Sequence, residues 1–220
     1  MTVHKLFSPL LEYQHSESEK TVMTNSFDFD NLRSLLYDAS KAGFLAIQGA
    51  HTNEHFYSFA LVTSGDMAYV YPTASTEEGL TQAAQKYIDK GRKSDKGKTL
   101  EQMRDELRWS LGDSYLNMED NTYFEAVNAL VANISDIIDE FPEDSWDEFD
   151  TFVAQFMGVC TDVLKRLDSE NVFGAGEQRD AITLNILMGD QSDDEMRKYA
   201  KLLNAASVYE RFCMELASQA

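Results

Sequence analysis

"HFYSFALVTSGDMAYVYPTASTEEGL" (residues 55–80) contains two apolar runs, "FYSFALVTS" and "MAYVYP", on either side of Gly65-Asp66. A Gly-Asp pair suits a two-residue loop, so the stretch reads as a β-hairpin. That loop sets Leu61 opposite Val70 and Val62 opposite Tyr69, with Phe59, Leu61 and Val70 on one face of the sheet. Ala60, Val62, Tyr69 and Tyr71 fall on the other face. Both faces are apolar enough to need at least partial cover. Pro72 ends the second strand, and Ser75 with Glu78 has the Ser-x-x-Glu spacing of a capping box. Glu77 and Glu78 are thereby explained as a dipole partner and a cap rather than an acid–base pair.

Upstream, Phe29, Leu32, Leu35, Leu36 and Ala39 recur at helical spacing. Gly43 stands where such a helix would stop, and "FLAIQGA" (44–50) reads as a short strand. Residues 1–25 are polar and weakly patterned; they are expected to be a loosely ordered extension, with Met23 a second candidate start, preceding a single domain over 26–220. Downstream, Leu80, Ala83, Ala84, Tyr87 and Ile88 mark a helix that ends in a basic loop, and "LRWS" fits an edge strand or a helix end. Tyr123 to Phe141 reads as one long amphipathic helix stopped by Pro142, and Phe149 to Leu167 as another. "DAITLNILMGD" alternates like a strand, and the last 28 residues read as two helices broken near Asn204. The same Ser-x-x-Glu spacing recurs at Ser145, Ser192 and Ser207. The expected class is α+β: a small, mainly antiparallel sheet with helices packed on it and a helix-rich carboxyl half.

The net charge is −19, and residues 112–220 hold 23 acidic against 7 basic side chains. Such a half repels nucleic acid and anionic membrane and attracts a basic protein. No apolar run has the length of a membrane span, no secretory signal is evident, and a cytoplasmic location is expected. Cys160 and Cys213 fall on apolar helical faces and read as small core residues. "HTNEH" carries His51, Glu54 and His55 in the His-x-x-Glu-His order of some zinc peptidases. That chemistry needs a helix, and here the five residues bridge two expected strands, so no metal is assigned. No phosphate loop, nucleophile elbow or cofactor motif is found. "MGDQSDDE" offers Asp190, Asp193 and Asp194 to a cation, yet the same residues serve a helix start.

The run "DIIDEFPEDSWDEFD" (136–150) holds eight acids and no base. It is either a solvated corner or a docking surface for a cationic protein, built on Asp136, Asp139, Glu140, Glu143 and Asp144 with Trp146 or Phe141 as anchor. An alternative function, as an enzyme or small-ligand binder, places a pocket at the sheet end near Tyr69, Tyr71, Thr73, Arg108 and Asp190.

"FYSFAL", "YVYPTASTEEGL", "LRWS", "FEAVNALV", "ITLNILMGDQ" and "AKLLN" together resemble an uncharacterised bacterial family, domain of unknown function 4303, from about Phe27 to Glu215. The resemblance implies a soluble intracellular protein, similar to immunity proteins of polymorphic toxin loci, which bind and neutralise a cognate toxin or effector. In the family pattern the Arg108-Trp109-Ser110 block continues into Asp-Trp, whereas Asp113 is followed here by Ser114.

Overall fold

The computed structural model describes residues 27–114, 116–139, 141, 146–189 and 191–218. The extension expected over residues 1–25 therefore lies outside the described residues. Helix α1 (Phe29–Ala50) starts at Asp28, whose carboxylate accepts from Asn31 N at 2.9 Å. Its buried stripe of Leu32, Leu36, Ala39, Gly43, Phe44 and Ile47 keeps helical spacing throughout. The strand expected over 44–50 is thus the last two turns of this helix. Gly43 serves a close approach rather than a stop: a Cβ there would lie 3.2 Å from the Phe124 ring.

Strand β1 (Phe56–Thr63) pairs antiparallel with β2 (Val70–Thr76), but Leu61 lies opposite Pro72, not Val70. The loop is longer than two residues because Met67, at φ +57, turns its side chain fully into the core. A slip of two preserves the faces, so Phe59, Leu61 and Val70 still share the core side. A bulge between Phe56 and Ser58 breaks the alternation. It puts Phe56 on the core side, stacked on Phe59 with centroids 4.8 Å apart, and turns Tyr57 to the opposite side.

Helices α2 (Glu77–Lys90) and α3 (Leu100–Leu107) follow, so "LRWS" is a helix end that turns at Arg108-Trp109. A two-residue strand β3 (Leu116–Asn117) pairs with Thr73 and Ala74. The expected long helix from Tyr123 is instead a 3₁₀ turn at Asn121–Phe124, then α4 (Glu125–Val131) and α5 (Ile134–Asp139). The break falls beside Asn133, whose side chain favours turns over helix interiors. Helix α6 (Trp146–Ser169) agrees with its periodicity, and α7 (Glu177–Asp180) leads into β4 (Thr183–Met188). Helices α8 (Asp193–Leu203) and α9 (Ala206–Ala217) end the described chain.

The sheet order is β3-β2-β1-β4, antiparallel at β3/β2 and β2/β1 and parallel at β1/β4. The α+β reading holds, with a mixed sheet. One face packs Phe59, Leu61, Val70, Leu184 and Ile186 with α1, α4 and α6. The other carries Tyr57 with Leu80, Ala84, Met103 and Leu107, and beside them Trp109 packs on Phe212 of α9.

Side-chain amides finish the outer side of β4. Asn204 accepts from Leu184 N at 2.9 Å and donates to Leu184 O at 2.8 Å. Asn185 accepts from Ile186 N, and Gln191 takes Ile186 O and Met188 N. Asn128 does the same for Val70 N and O at the start of β2.

Of the four Ser-x-x-Glu spacings, Ser192 with Glu195 forms a capping box. At α2 the cap is Thr76, which accepts from Gly79 N, while Ser75 bonds Ser114. Helix α9 begins before Ser207 and has no side-chain cap, and Ser145 lies outside the described residues.

Candidate functional site

Arg104 and Arg108, one turn apart at the end of α3, both reach Glu77 at the start of α2. Arg108 grips both Glu77 oxygens at 2.9 Å, and Arg104 Nη2 donates at 2.6 Å. Glu77 is therefore a carboxylate held between two guanidinium groups, not merely a helix-dipole partner. Burial opposes the Arg108 charge, but the hydrogen bonds and field of Glu77 outweigh it and hold the guanidinium above its usual range. The Arg108 fork also stacks over Tyr57 at 4.6 Å, and Tyr57 Oη donates to Arg108 O at 2.8 Å. Burial pushes the Tyr57 phenol up to about 12, so it is a hydrogen-bonding group and not a base near neutral pH.

Tyr57, Glu77, Arg108 and Trp109 form one wall of a cleft of about 250 Å³. Thr183 of β4 and Arg211 and Glu215 of α9 form the other. Thr183 is fully buried and its hydroxyl has no partner among the described residues. Arg211 Nη1 donates to Asp180 O at 2.6 Å, while its Nη2 is buried without an acceptor among the described residues. Trp109 Nε1 leans toward the half-buried Glu215 without closing a hydrogen bond. Burial raises the Glu215 pKa, and the Glu77 charge adds to this against Arg108 and Arg211. Behind Arg108 and Trp109, Ser58, Thr73, Ser75, Ser114 and Asn185 line a void of about 20 Å³, room for a single water.

Of the pocket expected at Tyr69, Tyr71, Thr73, Arg108 and Asp190, only Arg108 lies on the cleft and Thr73 on the void behind it. Tyr69 and Tyr71 stack on each other, centroids 4.6 Å apart, at the opposite end of β2 from Glu77. Asp190 lies outside the described residues. The bulge that turns Tyr57 into the site has no sequence signal, but the four-residue spacings Arg104/Arg108 and Arg211/Glu215 were there to be read.

The acidic corner is described only in part, because Glu140, Glu143 and Asp144 lie outside the described residues. Asp136, Asp139, Asp147, Glu148 and Asp150 are exposed, and Trp146 is 70% exposed. None of these five acids makes an ion pair with a described residue, whereas Asp162, Asp168 and Glu170 pair with Arg33, Arg179 and Lys41.

A family model, "Domain of unknown function (DUF4303)", matches residues 36–205. The chain belongs to this family. No curated protein and no solved structure matches it. In this DUF4303 protein, Arg104, Arg108, Glu77 and Thr183 fall inside the matched span, and Arg211 and Glu215 fall after it. Among the described residues no helix is long and apolar enough to cross a membrane, and no group of three or more His, Cys, Asp or Glu is placed to hold a metal.

The two histidines of "HTNEH" point to separate carboxylates. His51, at the end of α1, bridges Glu54 at 2.9 Å and Glu119 at 2.8 Å, and the exposed His55 meets Glu78. Burial works against the His51 charge, but Glu119 and Glu54 outweigh it and raise its pKa above 6.5. A raised folded-state pKa gives stability that is full below pH 6.5 and is lost as pH rises through the folded value. His51→Gln should therefore destabilise most in mildly acidic buffer, and the gap should shrink at alkaline pH. Urea midpoints of both proteins across that range are the check; a gap that widens with pH refutes the assignment.

Proposed function

We propose that this protein acts by binding another protein, as an immunity protein that occludes a cationic toxin or effector. The observation that carries this reading is Trp146, 70% exposed at the first residue of α6, among carboxylates that have no cation of their own in the described chain. An aromatic side chain rimmed by charge is the usual composition of a binding hot spot, and an unneutralised acidic rim speeds encounter with a basic partner. The acidic carboxyl half and the resemblance to immunity proteins support the same reading.

The test is association with a co-expressed cationic effector, followed at low and high salt. Asp136→Lys, Asp139→Lys, Glu143→Lys and Asp144→Lys together should slow association at least about tenfold and flatten its salt dependence. Trp146→Ala should raise Kd about 30-fold through faster dissociation. Wild-type rates in both variants would leave the corner a solvated surface.

A further inference from the structure

We propose that the cleft between α3, β4 and α9 binds a small carboxylate-bearing molecule through Arg211, Thr183 and Trp109. The acidic corner lies at the start of α6, and this inference stands independently of it. The cleft is built and not incidental: it has about 250 Å³ of space, and the bulge in β1 supplies Tyr57 to its wall.

Three polar groups of its lining have no hydrogen-bond partner among the described residues. Arg211 Nη2 and Trp109 Nε1 are donors without an acceptor among the described residues, and the fully buried Thr183 hydroxyl is unpaired among them as well. Native interiors rarely leave three such groups open together, so an occupant bearing oxygens is the economical partner. Its charge follows from the neighbours. Glu77 is already shared between Arg104 and Arg108, and Arg211 approaches Glu215 only to 3.9 Å. The lining itself balances Arg108 and Arg211 against Glu77 and Glu215, and Arg104, gripping Glu77 from outside the lining, brings the excess to one positive charge in a chain whose net charge is −19. That excess suits a singly charged carboxylate, which a planar guanidinium fork matches in shape. A phosphate dianion would meet uncompensated repulsion from Glu215. The aromatic rings of Tyr57 and Trp109 provide apolar wall for a short aliphatic tail. Glu215, facing the same space, offers an acceptor to an ammonium if the ligand is an amino acid.

Titration of the full chain with 4-methylpentanoate, with leucine, which has the same skeleton plus an amino group, and with inorganic phosphate tests the proposal. Either carboxylate should bind saturably and at least about tenfold more tightly than phosphate. Thr183→Val, which keeps the side-chain shape, and Arg211→Gln should each weaken that binding by about ten- to a hundredfold. Should Arg211→Gln fail to fold, Thr183→Val alone decides. Glu215→Gln separates the two sources: an amino-acid ligand loses its preference over the deaminated skeleton, and a plain carboxylate does not. Absence of saturable carboxylate binding to the wild type overturns the proposal. So does phosphate binding equal to that of the carboxylates, or carboxylate binding unchanged in Thr183→Val.

Discussion

Arg179→Ala is expected to lower the unfolding free energy by about 3 kcal/mol, the lower end of what breaking a buried charge pair costs, because Asp168 keeps 29% of its side chain exposed. The Arg179 side chain is only 13% exposed and its fork meets both oxygens of Asp168. It also donates to Ile182 O at 2.7 Å, and to Leu203 O and Asn204 Oδ1 at 3.2 Å each. One side chain thus ties the end of α6, the entry to β4 and the end of α8. Its removal takes this donor from a carboxylate and two carbonyls, and it removes one of the four hydrogen bonds that hold the Asn204 amide beside β4. Arg179→Lys should restore only a minor part, because an ammonium cannot reproduce the fork. Urea denaturation of the three proteins is the measurement. A loss below about 1 kcal/mol for the alanine variant would mean that water screens the cluster as it does a surface pair.

Phe59→Ala should cost a similar amount, about 3–5 kcal/mol. The ring is fully buried at the centre of an aromatic group, with centroids 4.8 Å from Phe56, 5.3 Å from Phe173 and 5.5 Å from Phe44. Those neighbours come from β1 itself, from the segment after α6 and from α1, so the cavity cannot close by moving one element. Phe59→Leu, which fills most of the volume, should cost about 1.5 kcal/mol or less. Equal losses in the two variants would show that the ring edge contacts, rather than the filled space, dominate this part of the core.

What was legible in the chain was what repeats. The stripes of α1, α6, α8 and α9 and the alternation of β4 are periodic, and periodicity survives without tertiary context. The places that were not legible are single residues that answer to a distant partner. Gly43 looks like a stop until Phe124 is seen against it, and the turn at Gly65-Asp66 looks short until Met67 is found in the core. The assignment of β4 as a parallel neighbour of β1 depends on a connection of over a hundred residues, which no local pattern encodes. The candidate site divides the same way. The acids around Trp146 are visible as composition, whereas Tyr57, Thr183 and Arg211 meet only through a bulge, a strand start and a terminal helix.

The amides of Asn204, Asn185, Gln191 and Asn128 have a consequence for recognition. An extended segment from another protein joins a sheet by pairing with a free row of main-chain N–H and C=O groups. On β4, and at the beginning of β2, that row is already occupied from within the chain. A partner cannot enlist the folded molecule by strand addition there, nor can a second folded copy pair with it at those edges. At those edges any partner is limited to side-chain contacts, which can be exchanged without disturbing the sheet.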